Sequence, residues 1–143
     1  MDDYISIRQE IFEYVSGQYG TKPEYLWKSS PNCSVLRHSG NNKWYGIIMD
    51  VTKNKLGLSG TDIVDILNVK CDPDMIGSLR MQAGVLPAYH MNKENWISIL
   101  LDGTVEKERI FPLIDMSFAL TGTPTAPAEP KAESPTAPPS MPR

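Results

Sequence analysis

Two histidines, two cysteines and an uneven spread of lysines, arginines and tryptophans are the side chains of this chain that could do chemistry. His90 lies in "YHMNKENWISILLDG", residues 89–103. An imidazole there could act as a general base or a metal ligand, because histidine titrates near neutral pH. The competing reading is a ring that hydrogen-bonds a backbone group at a strand end. No nucleophile or acid–base partner stands at a fixed spacing from it. His38 is the other histidine, and two imidazoles alone are too few for a zinc site. Cys33 and Cys71 form neither a CxxC pair nor a Cys/His zinc spacing. They read as reduced, buried small side chains rather than as nucleophiles or a disulfide. GxGxxG, P-loop, GxSxG and HExxH patterns are absent from the sequence. The residues therefore point to no catalytic group, no cofactor and no metal.

Binding chemistry is better represented. Residues 22–55 hold six bases and two acids, although the whole chain carries a net charge of −3. That overall balance argues against strong nonspecific nucleic-acid affinity, but a basic face can sit within an acidic protein. Arg37, Lys43, Lys53 and Lys55 surround Trp44, and Lys70, His90, Asn92, Lys93 and Trp96 extend the set. Lysine and arginine neutralise phosphates, and aromatic rings stack on bases. Asn92 and Lys93 could reach a phosphate or base edge from a hairpin tip; equally, asparagine closes a turn by bonding its own backbone. The two tryptophans could instead cover apolar surface.

These residues need elements to position them. Residues 3–20 place Tyr4, Ile7, Ile11, Tyr14 and Val15 at helical spacing, with Asp2 or Asp3 as cap and Gly17 or Gly20 as stop. "NCSVLRH" and "KWYGIIMDV" flank Ser39-Gly40-Asn41-Asn42 and read as a hairpin. Residues 52–62 form a longer loop, and "IVDILNVKC" a third strand. Asp72-Pro73 starts a helix that Gly84 stops, burying Ile76, Leu79 and Ala83. "VLPAYHM" and "WISILL" follow as strands. Alternation puts Ile97, Ile99 and Leu101 toward the helices and leaves Trp96, with Lys70, on an open face. The last helix lies within residues 105–120, with Pro112 inside it.

The result is an α+β domain over residues 1–121: an antiparallel sheet of about five strands with helices packed on one face. Residues 122–143 hold seven of the twelve prolines and form a disordered, Pro/Ala-rich tail. No secretory signal and no apolar run near the ~20 residues of a membrane span occur, so a cytoplasmic protein without membrane contacts is expected.

"VKCDP" before a helix, then "PAYHMNKENWISILLDG", then a helix containing "LIDMSFAL", closely resembles the MmcQ/YjbR family of small bacterial proteins. The resemblance covers roughly residues 4–121. It implies a CyaY-like fold, the architecture shared with frataxin, and a DNA-binding role. Asn95 departs from the histidine common at that position, and the tail lies outside the family pattern. A frataxin-like iron role would need an acidic ridge, of which Asp2, Asp3, Glu10 and Glu13 form only a thin version. Three functions follow as expectations. The first is a non-enzymatic module that binds DNA or another anionic partner through the basic, aromatic sheet face. The second is an enzyme or small-molecule binder with a pocket at His90, Asn92 and Trp96. The third is a protein–protein scaffold.

Overall fold

The computed structural model describes residues 6–122. Asp2, Asp3 and the tail from residue 123 lie outside them. The first helix, α1 (Ile7–Tyr19), starts later than Asp2 or Asp3 would allow. Ser6 is its cap, with an extended backbone and a hydroxyl that accepts from the Gln9 amide at 3.1 Å. A serine there satisfies one of the four amides a helix start leaves without partners. The expected hairpin follows as β1 (Ser34–Arg37) and β2 (Trp44–Thr52), then a 3-10 turn at Lys53–Leu56. Next come β3 (Ile63–Lys70), α2 (Pro73–Arg80), β4 (Val85–Pro87), β5 (Trp96–Leu100) and α3 (Lys107–Thr121). All strand pairs are antiparallel, in the order β1-β2-β3-β5-β4. The fold is thus the α+β class with a five-stranded antiparallel sheet. From β3 the chain crosses through α2 to the outer edge and returns as β5 between the two.

Asp72 caps α2 as expected, its Oδ1 accepting from the Asp74 amide at 2.9 Å. The helix ends at Arg80, short of Gly84. Its last turns tighten, with the Met81 and Gln82 amides bonding to the carbonyls of Ser78 and Leu79. The reason lies in Gly84, whose carbonyl accepts from the Leu100 amide at 2.8 Å and whose φ is +88°. A Cβ there would sit 2.5 Å from Val105, so the chain must already have left the helix to thread this gap. β4 is also shorter than "VLPAYHM" suggested. Only Val85–Pro87 pair with β5, because the Tyr89 amide turns to a side chain and His90 takes a left-handed backbone, φ +62°. Pro112 is accommodated within α3 on its exposed side.

The three helices cover one sheet face. Ile11, Val15, Ile76, Ile110 and Ile114 pack there on Leu36, Tyr45, Ile48, Leu67, Ile97 and Ile99. Ile97, Ile99 and Leu101 point to the helices as their alternation required. The opposite face is not open. Ile47, Met49, Val51, Val64, Ile66 and Leu100 form a second core on it, covered by Trp27, Leu56, Leu58, Tyr89 and Met91 from the loops. "YGIIMDV" is apolar on both faces of the strand, and burying such a surface at about 25 cal/mol per Å² favours a loop layer over exposure. Trp96 is 2% exposed and Trp44 5%, the latter edge-on to Trp27 at 5.9 Å.

Candidate functional site

A buried polar cluster fixes the loop that carries His90. Asn68 and Ser98 are register partners on β3 and β5, and the Ser98 hydroxyl donates to the Asn68 side-chain carbonyl. The Tyr89 amide donates to Ser98 Oγ at 2.9 Å, and Asn68 Nδ2 donates to the Tyr89 carbonyl at 3.1 Å. Both buried side chains are thereby satisfied, as polar groups in a core must be. The same bonds press Tyr89 onto the sheet and turn His90 outward, where its ring lies 4.1 Å from that of Tyr89. Asn92 closes the following turn, its Oδ1 accepting from the Glu94 amide at 2.7 Å.

A cleft opens beside this loop because β1 is shorter than β2. The β1 ladder begins at Ser34 opposite Ile48, so residues 49–52 of β2 pair with β3 alone. The cleft has a volume of about 310 Å³. Cys33, Met49, Val51 and Ile63 contribute apolar surface; Ser29, Ser30, Lys55, His90 and Asp50 contribute polar groups. Arg8 braces its wall, donating to both Asp65 oxygens at 3.1 and 2.9 Å and to the Asn32 carbonyl at 2.8 Å. Asn32 in turn donates to Asp50 at 3.0 Å. Burial pushes the Cys33 thiol up to about 12, with Arg8 opposing and Asp50 adding. It is a neutral thiol near neutral pH, not a nucleophile. Cys71 is likewise a free, buried thiol pushed up to about 12 by burial.

The site residues read from the sequence do not share one face. Lys55 and His90 meet at the cleft. Lys53 begins the same 3-10 turn and lies close enough to Asp102 to favour its charged form. Arg37 is committed to Glu24 through two bonds of 3.2 and 2.8 Å. Lys93 borders a second, wider groove with Ile76 and Arg80. Lys70 sits opposite Trp96 in the β3–β5 ladder, and Lys43 follows the β1–β2 turn. Trp44 and Trp96 are core residues, which corrects the expectation of an exposed stacking surface. Asn92 and Trp96 do not line the cleft beside His90. Ser29, Ser30 and Asp50 were not anticipated there. The available signal was the mismatch between the short run "SVLR" and the long run "WYGIIMDVT". Among the described residues no three His, Cys, Asp or Glu side chains converge to hold a metal ion, and no helix is long and apolar enough to cross a membrane.

Comparison with known proteins adds the family context. The family model described as YjbR matches residues 16–120. The chain is 50% identical over 114 residues to the uncharacterized protein YyaQ of Bacillus subtilis, covering 80% of this chain and 97% of that protein. It is 34% identical over 53 residues to the uncharacterized protein YjbR of Escherichia coli, 36% of this chain and 45% of that one. A crystal structure of a protein from Pseudomonas syringae matches with a TM-score of 0.79 at 44% identity, over 80% of this chain and 98% of the other. A Deinococcus radiodurans protein, with a TM-score of 0.57 at 21% identity, shares the fold alone, over 85% of this chain and 83% of its own.

Proposed function

The chain belongs to the YjbR family, and from that premise we propose that it is a small-molecule-binding protein whose ligand occupies the cleft at Lys55 and His90. The observation that carries this reading is the convergence of polar groups on an apolar floor beside an unpaired strand edge. Ligand pockets combine these features, and about 310 Å³ falls at the small end of their usual range. His90 supports the reading further. A non-glycine residue at φ +62° is an uncommon conformation that its surroundings must impose. Here the buried Asn68–Ser98 pair imposes it through Tyr89 and brings the imidazole to the cleft. Among the described residues Lys55 has no ion-pair partner, so its ammonium can meet an anionic ligand group.

The DNA reading draws less support from the same geometry. Its two tryptophans lie in the core, Arg37 is engaged by Glu24, and its lysines are spread over several sides of the domain. Native mass spectrometry of freshly purified protein, followed by a ligand-observed NMR screen of metabolites, separates the two. The expected outcome is a low-mass anionic ligand that binds at least about tenfold more weakly to Lys55→Ala, since a hydrogen bond to a charged group contributes roughly 1.5–3 kcal/mol. Ligands indifferent to that change would overturn the cleft reading. So would low-salt DNA binding that weakens in Lys43→Glu and Lys93→Glu.

A further inference from the structure

We infer that the ligand is a short peptide in extended conformation, added as a strand along the open edge of β2 with its free carboxylate toward Lys55. The inference rests on the cleft being a ligand site and concerns what chemistry fills it. Residues 49–52 have β3 on one side and the cleft on the other. In an antiparallel strand, alternate residues direct both N–H and C=O to the same side. The cleft wall is therefore a strand edge whose amide groups want a partner of the same periodicity. A peptide main chain supplies donors and acceptors at that spacing, and adding a strand to an exposed edge is a recurrent mode of peptide recognition. Four residues of edge extend roughly 13 Å, enough for three to four residues of an added strand. The volume of about 310 Å³ limits the enclosed part to a short segment, and the open mouth lets a longer peptide continue outward.

Side chains and charge agree with this. Alternate side chains of an added strand fall on the face where Met49 and Val51 lie, so one apolar side chain per two residues is accommodated. Lys55 and Asp50 both line the cleft, which suits a molecule with a charge of each sign. A peptide with free termini is such a molecule. The wall is also braced before any ligand arrives, by Arg8 on the Asn32 carbonyl and by Asn32 on Asp50, which lowers the entropic cost of binding.

The test is a ¹H–¹⁵N NMR titration of the full chain with the tripeptide Ala-Leu-Ala. Parallel titrations use its C-terminally amidated form, its form N-methylated at the central leucine, and free leucine. Expected are shifts at the amides of residues 49–52, with a Kd in the millimolar range or tighter. Amidation, N-methylation and Lys55→Ala should each weaken binding by about tenfold, because each removes one charge-assisted or main-chain hydrogen bond. Lys55 is exposed, so its substitution leaves the fold intact. No response at residues 49–52, or a response insensitive to amidation and N-methylation alike, overturns the peptide assignment. If free leucine or an anionic metabolite binds at Lys55 while the tripeptide does not, the cleft remains a ligand site and the peptide assignment fails. If nothing moves an amide lining the cleft, both fail.

Discussion

At the end of β1 the His38 imidazole is 8% exposed and closes the C-terminus of α3. Its Nε2 lies 2.9 Å from the Phe118 carbonyl and 2.9 Å from Thr121 Oγ1. The Thr121 hydroxyl donates to the Ser117 carbonyl at 2.8 Å, so it accepts from His38 and the proton sits on Nε2. Gly122 permits this approach, because a Cβ there would lie 2.8 Å from the ring. The ring stacks on Phe118 at 3.9 Å. Burial holds its pKa below the ordinary 6.5; the Phe118 carbonyl opposes and Lys43 adds. The unfolded chain then binds more protons than the folded one between the two pKa values. Stability from this group is complete above 6.5 and is lost as the pH falls from there toward the folded pKa. Urea midpoints at about pH 7.5 and about pH 5.5 should therefore differ more for the native chain than for His38→Gln, whose amide can still donate to Phe118. An equal difference in both would refute the assignment. In "SVLRHSG" nothing marks His38 for this role, because its partners lie 80 residues away.

Among the elements, the short β4 and the loop after it decide what His90 can do. The turn at Asn92 was legible, since asparagine bonds its own backbone. The anchoring of Tyr89 to Ser98 was not, because it depends on Asn68 from a strand that becomes a neighbour only after the chain crosses through α2. Ser98→Ala removes the acceptor for the Tyr89 amide and the donor to Asn68. It should cost roughly 1–3 kcal/mol, the penalty for buried polar groups left without partners. Hydrogen exchange should then speed up at Tyr89 and His90 before it does in β2. Uniform acceleration across the sheet would mean that the cluster supports the core rather than the loop. At the opposite end of α3, Lys107 reaches Glu10 at 3.3 Å, and midway the Tyr14 hydroxyl donates to Asp115 at 2.8 Å. These contacts fix the α1–α3 pairing.

For the whole molecule, the main departure from expectation is the second core. A sheet with one open face would leave Trp96 at the surface, where substitutions usually change stability within about ±0.5 kcal/mol. In the two-sided sheet its ring is enclosed. Trp96→Ala should then cost roughly 3–5 kcal/mol, a large share of the 5–15 kcal/mol that holds a typical domain together. Chemical denaturation monitored by circular dichroism measures this directly. A change under about 1 kcal/mol would place the ring outside the core. The second core and the cleft share residues: Cys33, Met49 and Val51 belong to both, and Tyr89 covers the one and lines the other.

The sequence by itself determined the local elements and the fold class. Hairpin turn chemistry, the Asp72-Pro73 helix start and the alternation of "WISILL" are short-range signals, and short-range physics carried them into the structure. The order of motifs was enough to identify the family. Only the tertiary structure decided which polar residues meet. Whether Trp96 is exposed depends on whether the rest of the chain covers that face of the sheet, and it is 2% exposed. Whether Lys55 and His90 share a cleft depends on a strand edge left open because β1 begins only opposite Ile48. Those are long-range packing outcomes, set by how much apolar surface the whole chain must bury and not by any residue's immediate neighbours.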